Sequence, residues 1–138
     1  MVRALVVHHD IDIGDQEADS LRRLGYEVEQ CRGPSGFACP VLRGDPCAAV
    51  DRADVLVYDV WSTSETGGSR MLVENLREAH PDTPVVLTAP GMELDWVEVD
   101  GPHRVVPLVG VPTAARLDEA IREALGLPSR SDAVQTTT

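Results

Sequence analysis

Asp59 closes the apolar run Val55-Leu56-Val57-Tyr58 and opens a polar stretch, Trp61-Ser62-Thr63-Ser64-Glu65-Thr66-Gly67-Gly68. An acid so placed sits at the carboxyl end of a buried strand, where open parallel sheets carry ligands and chemistry. Thr88 follows a second apolar run, Val85-Val86-Leu87, and His8-His9-Asp10 follows a third, Ala4 to Val7. Carboxylate, hydroxyl and imidazole groups at strand ends are the side chains that accept a group, hold a cation or move a proton. Without any such role, Asp59 is an acid capping a loop and Thr88 a β-branched strand residue with a local hydrogen bond. Neighbours on a strand point to opposite faces, so at most one of His8 and His9 faces Asp59. There it is either a neutral filler or a transition-metal ligand, and a His–carboxylate pair would make the site pH-sensitive.

A second set is Cys31, Cys39 and Cys47, evenly spaced in the segment Cys31 to Ala53, which is dense in Pro and Gly. No two of them form a C-x-x-C pair, so the pattern is far weaker than a structural zinc motif. Three thiolates with a fourth ligand could hold Zn²⁺ or an iron–sulfur cluster, and two could form a redox-switched disulfide. Three reduced cysteines acting as small apolar fillers is the common intracellular outcome. The loop from Trp61 to Gly68, ahead of a helix, also has the outline of a phosphate cradle. It lacks a Lys, and Glu65 opposes an anion, which argues against nucleotide or flavin.

The elements that must position these groups alternate strand and helix. After the first strand, Asp12 or Asp15 caps a helix to about Leu24, with Ala18, Leu21, Arg22 and Leu24 on its apolar stripe and Gly25 as its stop. Tyr26 to Gln30 alternates like a strand near a sheet edge. Asp45-Pro46 reads as an N-cap and first helical residue of a short helix, Pro46 to Arg52. Ser69 to His80 is amphipathic, with Met71, Leu72, Leu76 and Ala79 on one side, and ends at Pro81. Ala89 to His103 has no convincing helix pattern. Val105 to Val109 is a fifth strand, where Pro107 favours an edge. Thr113 caps a last helix that faces Ala114, Leu117, Ile121, Ala124 and Leu125 inward and stops at Gly126. One domain over residues 1–126 follows, with a polar, aperiodic tail to Thr138 read as disordered. The alternation argues for a doubly wound α/β sandwich with helices on both sheet faces.

Bulk properties narrow the partners. A 138-residue chain with 43% hydrophobic and 25% charged residues is ordinary for one globular domain, and 4% aromatics leaves the core to Val, Leu and Ala. The formal net charge of −11 argues against nucleic acid and anionic membrane surfaces. No apolar run is long enough to span a bilayer and the N-terminus lacks a secretory pattern, so the cytoplasm is expected.

VLVYDVWSTSETG, PVVLTA and VPTAARLDEAIREAL together resemble response-regulator receiver domains over nearly the whole chain to about Leu125. The resemblance implies a flavodoxin-like, five-stranded parallel sheet of order 2-1-3-4-5. It implies that Asp59 stands at the phosphoacceptor position, taking a phosphoryl group with Mg²⁺ from a histidine kinase. Thr88 stands where a hydroxyl bonds that group, and Trp61 where a backbone carbonyl helps hold the metal. Two positions depart from the family: its acidic pair is His8-His9 here, beside Asp10, and its Lys before the last Pro is Val111. Imidazole is a poor ligand for Mg²⁺, and without cations phosphoryl transfer loses most of its catalysis. Mg²⁺ is expected only if Asp10 substitutes for the acidic pair.

The chain is therefore read as an atypical receiver-like signalling or protein-interaction module. It is expected to be non-enzymatic, to need no cofactor and to have a degenerate pocket of His8, His9, Asp10, Trp61, Thr88 and Val111 around Asp59. A protein partner is expected, a signalling protein or histidine kinase, because no DNA-binding domain follows. The face from Ala89 to Leu125 is the family's output surface and makes a homodimer plausible. The alternatives are a metal- or redox-sensing domain at Cys31, Cys39 and Cys47, and a phosphorylatable regulator using Asp59 with an altered metal site.

Overall fold

The computed structural model describes residues 2–8, 10–31, 47–59, 74–89 and 105–128. The elements in chain order are β1 (Arg3–Val7), α1 (Ile11–Arg23), β2 (Glu27–Cys31), α2 (Ala48–Arg52) and β3 (Val55–Asp59). Then come α3 (helical over residues 74–79), β4 (Val85–Ala89), β5 (Val105–Val109) and α4 (Ala114–Leu125). The strands form one parallel sheet in the order β2-β1-β3-β4-β5, the order the resemblance implies.

Two cores flank the sheet, because alternate residues of each central strand point to opposite faces. Ala4, Val6, Val55, Val57, Val86 and Val106 face α1 and α4, where they meet Leu21, Leu117 and Ile121. Leu5, Val7, Leu56, Tyr58, Val85 and Leu87 face the other way, against Val50 of α2 and Leu76 of α3. All five residues of β3 are buried, as expected of a strand covered on both faces. β2 is exposed or half-buried throughout and lies at one edge, and β5 with Pro107 lies at the other.

The ends of α1 differ in part from expectation. Its N-cap is Asp10, which holds extended φ/ψ and accepts from the N–H of Ile13, rather than Asp12 or Asp15. Asp12 falls in the first turn instead, and Asp15 accepts from Nε2 of Gln30 at 2.8 Å. The earlier start rotates a different set inward: Gly14, Glu17, Ala18 and Leu21 are buried. Arg22 is not on that face; its guanidinium donates to the carbonyl of Val28 at 3.2 Å. Gly25, at φ +99°, ends the helix in the left-handed region that suits glycine. Tyr26 precedes β2 rather than opening it, and its ring fills the core.

α2 begins at Ala48 with Cys47 as cap, two residues after the expected Pro46 start, and that cap makes no side-chain bond. Its anchor comes from outside the segment. The N–H of Cys47 donates to Nε2 of His80 at 2.9 Å, and Nδ1 of the same ring faces Asp51 Oδ1 at 3.0 Å. At the far end, Thr113 caps α4 by accepting from the N–H of Arg116, and Gly126 closes it in the left-handed conformation, both as expected.

Asp45-Pro46, Cys39, His9, Trp61 with its loop to Gly68, the start of the Ser69–His80 helix, residues 90–104 and the tail from residue 129 lie outside the described residues. Among the described residues no helix is long and apolar enough to cross a membrane.

Candidate functional site

The sheet register brings the strand ends together. Val7 pairs with Tyr58, and Asp59 pairs with Thr88, so His8, Asp59 and Thr88 converge at one end of β1, β3 and β4. All three are buried. Thr88 Oγ1 lies 3.3 Å from Asp59 Oδ1 and 3.5 Å from the carbonyl of Tyr58, so the hydroxyl donates toward the carboxylate.

His8 Nε2 lies 3.6 Å from Asp59 Oδ2 and 3.9 Å from Glu17 Oε2. Its other nitrogen is committed: the backbone N–H of Asp10 donates to Nδ1 at 3.0 Å. A nitrogen that accepts carries no proton, so the ring is the neutral tautomer with its N–H on Nε2, directed at the two acids. Protonating His8, or turning Nε2 into a metal ligand, requires a proton on Nδ1 and breaks the bond from Asp10. In this arrangement Nε2 of His8 faces Asp59 and Glu17 as a donor. Among the described residues no three His, Cys, Asp or Glu side chains are grouped to hold a metal ion.

Asp10 is not among the described residues lining the cavity beside Asp59; its carboxylate caps α1. The second acid in the cavity is Glu17, which the sequence reading passed over. Gly14 lets α1 approach β1 closely, since a Cβ there would lie 3.3 Å from His8 Cβ. One turn further on, Glu17 points inward at 4% exposure. Burial, and then the charge of Asp59, push its pKa up to about 7.

A cavity of about 500 Å³ opens over these groups. α1 contributes Ile13, Gln16, Glu17 and Ser20, and the turn after β5 contributes residues 111–114. Gly110, at φ +93°, makes that turn, and the carbonyl of Val111 accepts from Arg116 Nη1 at 3.1 Å. Val111 itself is 71% exposed at the cavity wall. Neither Lys nor Arg is among the described lining residues.

Solved structures with this architecture share low sequence identity with the chain. A response regulator receiver domain protein from Clostridium thermocellum superposes with a TM-score of 0.69 at 18% identity, covering 97% of this chain and 99% of that one. CheY4, a chemotaxis protein of Vibrio cholerae, gives 0.64 at 21% identity over 91% of this chain and 99% of its own. The fold is that of a response-regulator receiver domain. NtrX from Brucella abortus, in complex with ADP, gives 0.67 at 23% identity; the receiver fold covers 99% of this chain but only 29% of NtrX. The sequence matches no family model and no curated protein.

The receiver fold implies Mg²⁺ at Asp59, and the described residues do not fit that ion. Mg²⁺ wants oxygen ligands in near-octahedral order. Here Nε2 of His8 faces both acids, the carboxylate of Asp10 caps α1, and the described cavity wall holds neither Lys nor Arg. Cys31 and Cys47 are half-buried and pack against the core face that holds Leu76.

Proposed function

We propose that this chain is a receiver-like signalling module that acts through protein contacts, in the cytoplasm, without phosphoryl transfer at Asp59. The observation that carries this reading is the hydrogen bond from the Asp10 N–H to His8 Nδ1. It leaves the end of β1 with a neutral N–H donor where phosphoryl chemistry needs cation-binding carboxylates. Val111 removes the other positive charge. The module is not an enzyme, carries no cofactor and passes its signal to a protein partner. A second copy of the chain, meeting the face that includes β5 and α4, is one form that contact takes.

The nucleotides held by the NtrX structures do not extend to this reading. Two buried carboxylates and no described Lys or Arg repel a polyphosphate. The test is incubation of the chain with Mg²⁺ and acetyl phosphate, followed by intact mass. An unmodified mass is expected.

A further inference from the structure

The cavity between α1 and the turn after β5 is acidic inside and apolar near solvent. Asp59 and Glu17 are 2% and 4% exposed, while Ile13 and Val111, at 42% and 71%, line it where it opens. The Oε2 atom of Glu17 is buried and makes no hydrogen bond. His8 Nε2, at 3.9 Å, lies beyond hydrogen-bond reach of it. A buried acceptor aimed into a cavity of about 500 Å³ is a place for a donor that the described residues do not supply.

We infer that this cavity binds a primary alkylammonium, with its –NH₃⁺ on Glu17 and its chain along Ile13, Val111 and Pro112. The charge is right: both ionisable carboxylates inside are acids, and the chain carries a net −11. The shape of the donor is right as well. One open carboxylate oxygen suits the compact, rotatable donors of an ammonium, whereas a planar guanidinium fork needs two. The hydroxyl of Ser20 and the amide of Gln16 supply neutral acceptors nearby. The hydration shell of Mg²⁺ gains nothing from the apolar walls, whereas an alkyl chain does.

Binding of this cation is linked to a proton. Among the described residues the titratable groups facing Glu17 are His8, at the end of β1, and Asp59, on β3. β4 presents Thr88, and the turn before α4 presents Val111, Pro112, Thr113 and Ala114, none of which titrates near neutrality. A cation favours the ionised acid, so it displaces the Glu17 proton and binds more tightly above pH 7 than below it.

This goes beyond the module reading and rests on it only in that Asp59 carries no phosphoryl group. The experiment titrates n-butylammonium and its uncharged counterpart n-butanol into the full chain by calorimetry, below and above pH 7. Wild type, Glu17→Gln and Val111→Lys are compared. Saturable amine binding is expected in wild type, weakened by at least about tenfold in Glu17→Gln, a loss of roughly 1.4 kcal/mol. Val111→Lys tethers an ammonium at the opening and should weaken it too. Gln is nearly isosteric with Glu, and Val111 is exposed, so both variants keep the wild-type fold, checked by circular dichroism. No saturable amine binding in wild type, equal affinity in Glu17→Gln, or n-butanol binding as tightly as the amine would each overturn the inference. Intact mass after acetyl phosphate reads the module hypothesis separately, so either idea can fail alone.

Discussion

Asp10 donates its backbone N–H to Nδ1 of His8 at 3.0 Å, and the same residue's carboxylate accepts from the N–H of Ile13 at 3.1 Å. One residue thus fixes the tautomer of the imidazole and starts α1. The first places the ring's N–H on the nitrogen that faces Asp59, and the second engages the carboxylate next in sequence to the His8-His9 pair.

Glu17 is the costly member of this arrangement. Its pKa rises from 4.5 to about 7 on folding, so the folded chain binds the proton more tightly than the unfolded chain does. Stability therefore falls as pH rises between those values and levels off above them, by up to about 3 kcal/mol. Glu17→Gln removes this penalty. It should raise Tm by several degrees at pH 8 and change it little at pH 4, read by calorimetric melts. A melting profile with the same pH dependence in both proteins would contradict it.

Asp59 acts on Glu17 through its charge, after burial. Asp59→Asn should lower the Glu17 midpoint only part of the way toward 4.5, because burial remains. Carboxyl carbon NMR on selectively labelled Glu follows that midpoint. A return to the ordinary value would mean that Asp59, not burial, dominates.

Tyr26, just before β2, and Asp118 of α4 tie the start of β2 to the last helix. The phenol donates to Asp118 Oδ1 at 2.5 Å within the core, and Arg122 Nε stands 3.5 Å from the same oxygen. Tyr26→Phe keeps the ring and removes the donor. The buried carboxylate then loses a partner, at a cost of about 1–3 kcal/mol. Urea melts should show a lower midpoint with an unchanged slope; an unchanged midpoint would show that the bond adds nothing.

His80 ties the end of α3 to the start of α2 through Cys47 and Asp51. His80→Ala strands the Cys47 N–H and leaves a hole under a five-residue helix. Hydrogen exchange should accelerate at Cys47 to Asp51 and stay slow in β3. Equal protection in both proteins would show that α2 is held by its Val50 packing alone.

The strands and the last helix were legible because their signals are local, whereas the strand order followed from the resemblance to receiver domains. Val55 to Tyr58 and Val85 to Leu87 are apolar on both faces, Pro107 marks an edge, and Thr113 and Gly126 carry their capping chemistry in their own side chains or lack of one. Glu17, His80 and Asp118 were not legible. In an amphipathic pattern an ionisable residue counts as solvent-facing, and each of these three is buried against groups distant in the chain: Asp59, Cys47 and Tyr26. Starting α1 at Ile11 would have exposed the clue, since Gly14, Glu17, Ala18 and Leu21 then share one face. Asp10 is ambiguous in the sequence for another reason: an acid after a strand has the same signature as a cap and as a ligand.

The central claim is that Asp59 sits in a receiver fold whose pocket no longer supports an acyl phosphate. Intact mass spectrometry after exposure to Mg²⁺ and acetyl phosphate, with Asp59→Asn alongside, measures it most directly. The account predicts an unchanged mass in both proteins. A phosphoryl adduct that forms in the wild type, needs Mg²⁺ and vanishes in Asp59→Asn would contradict it.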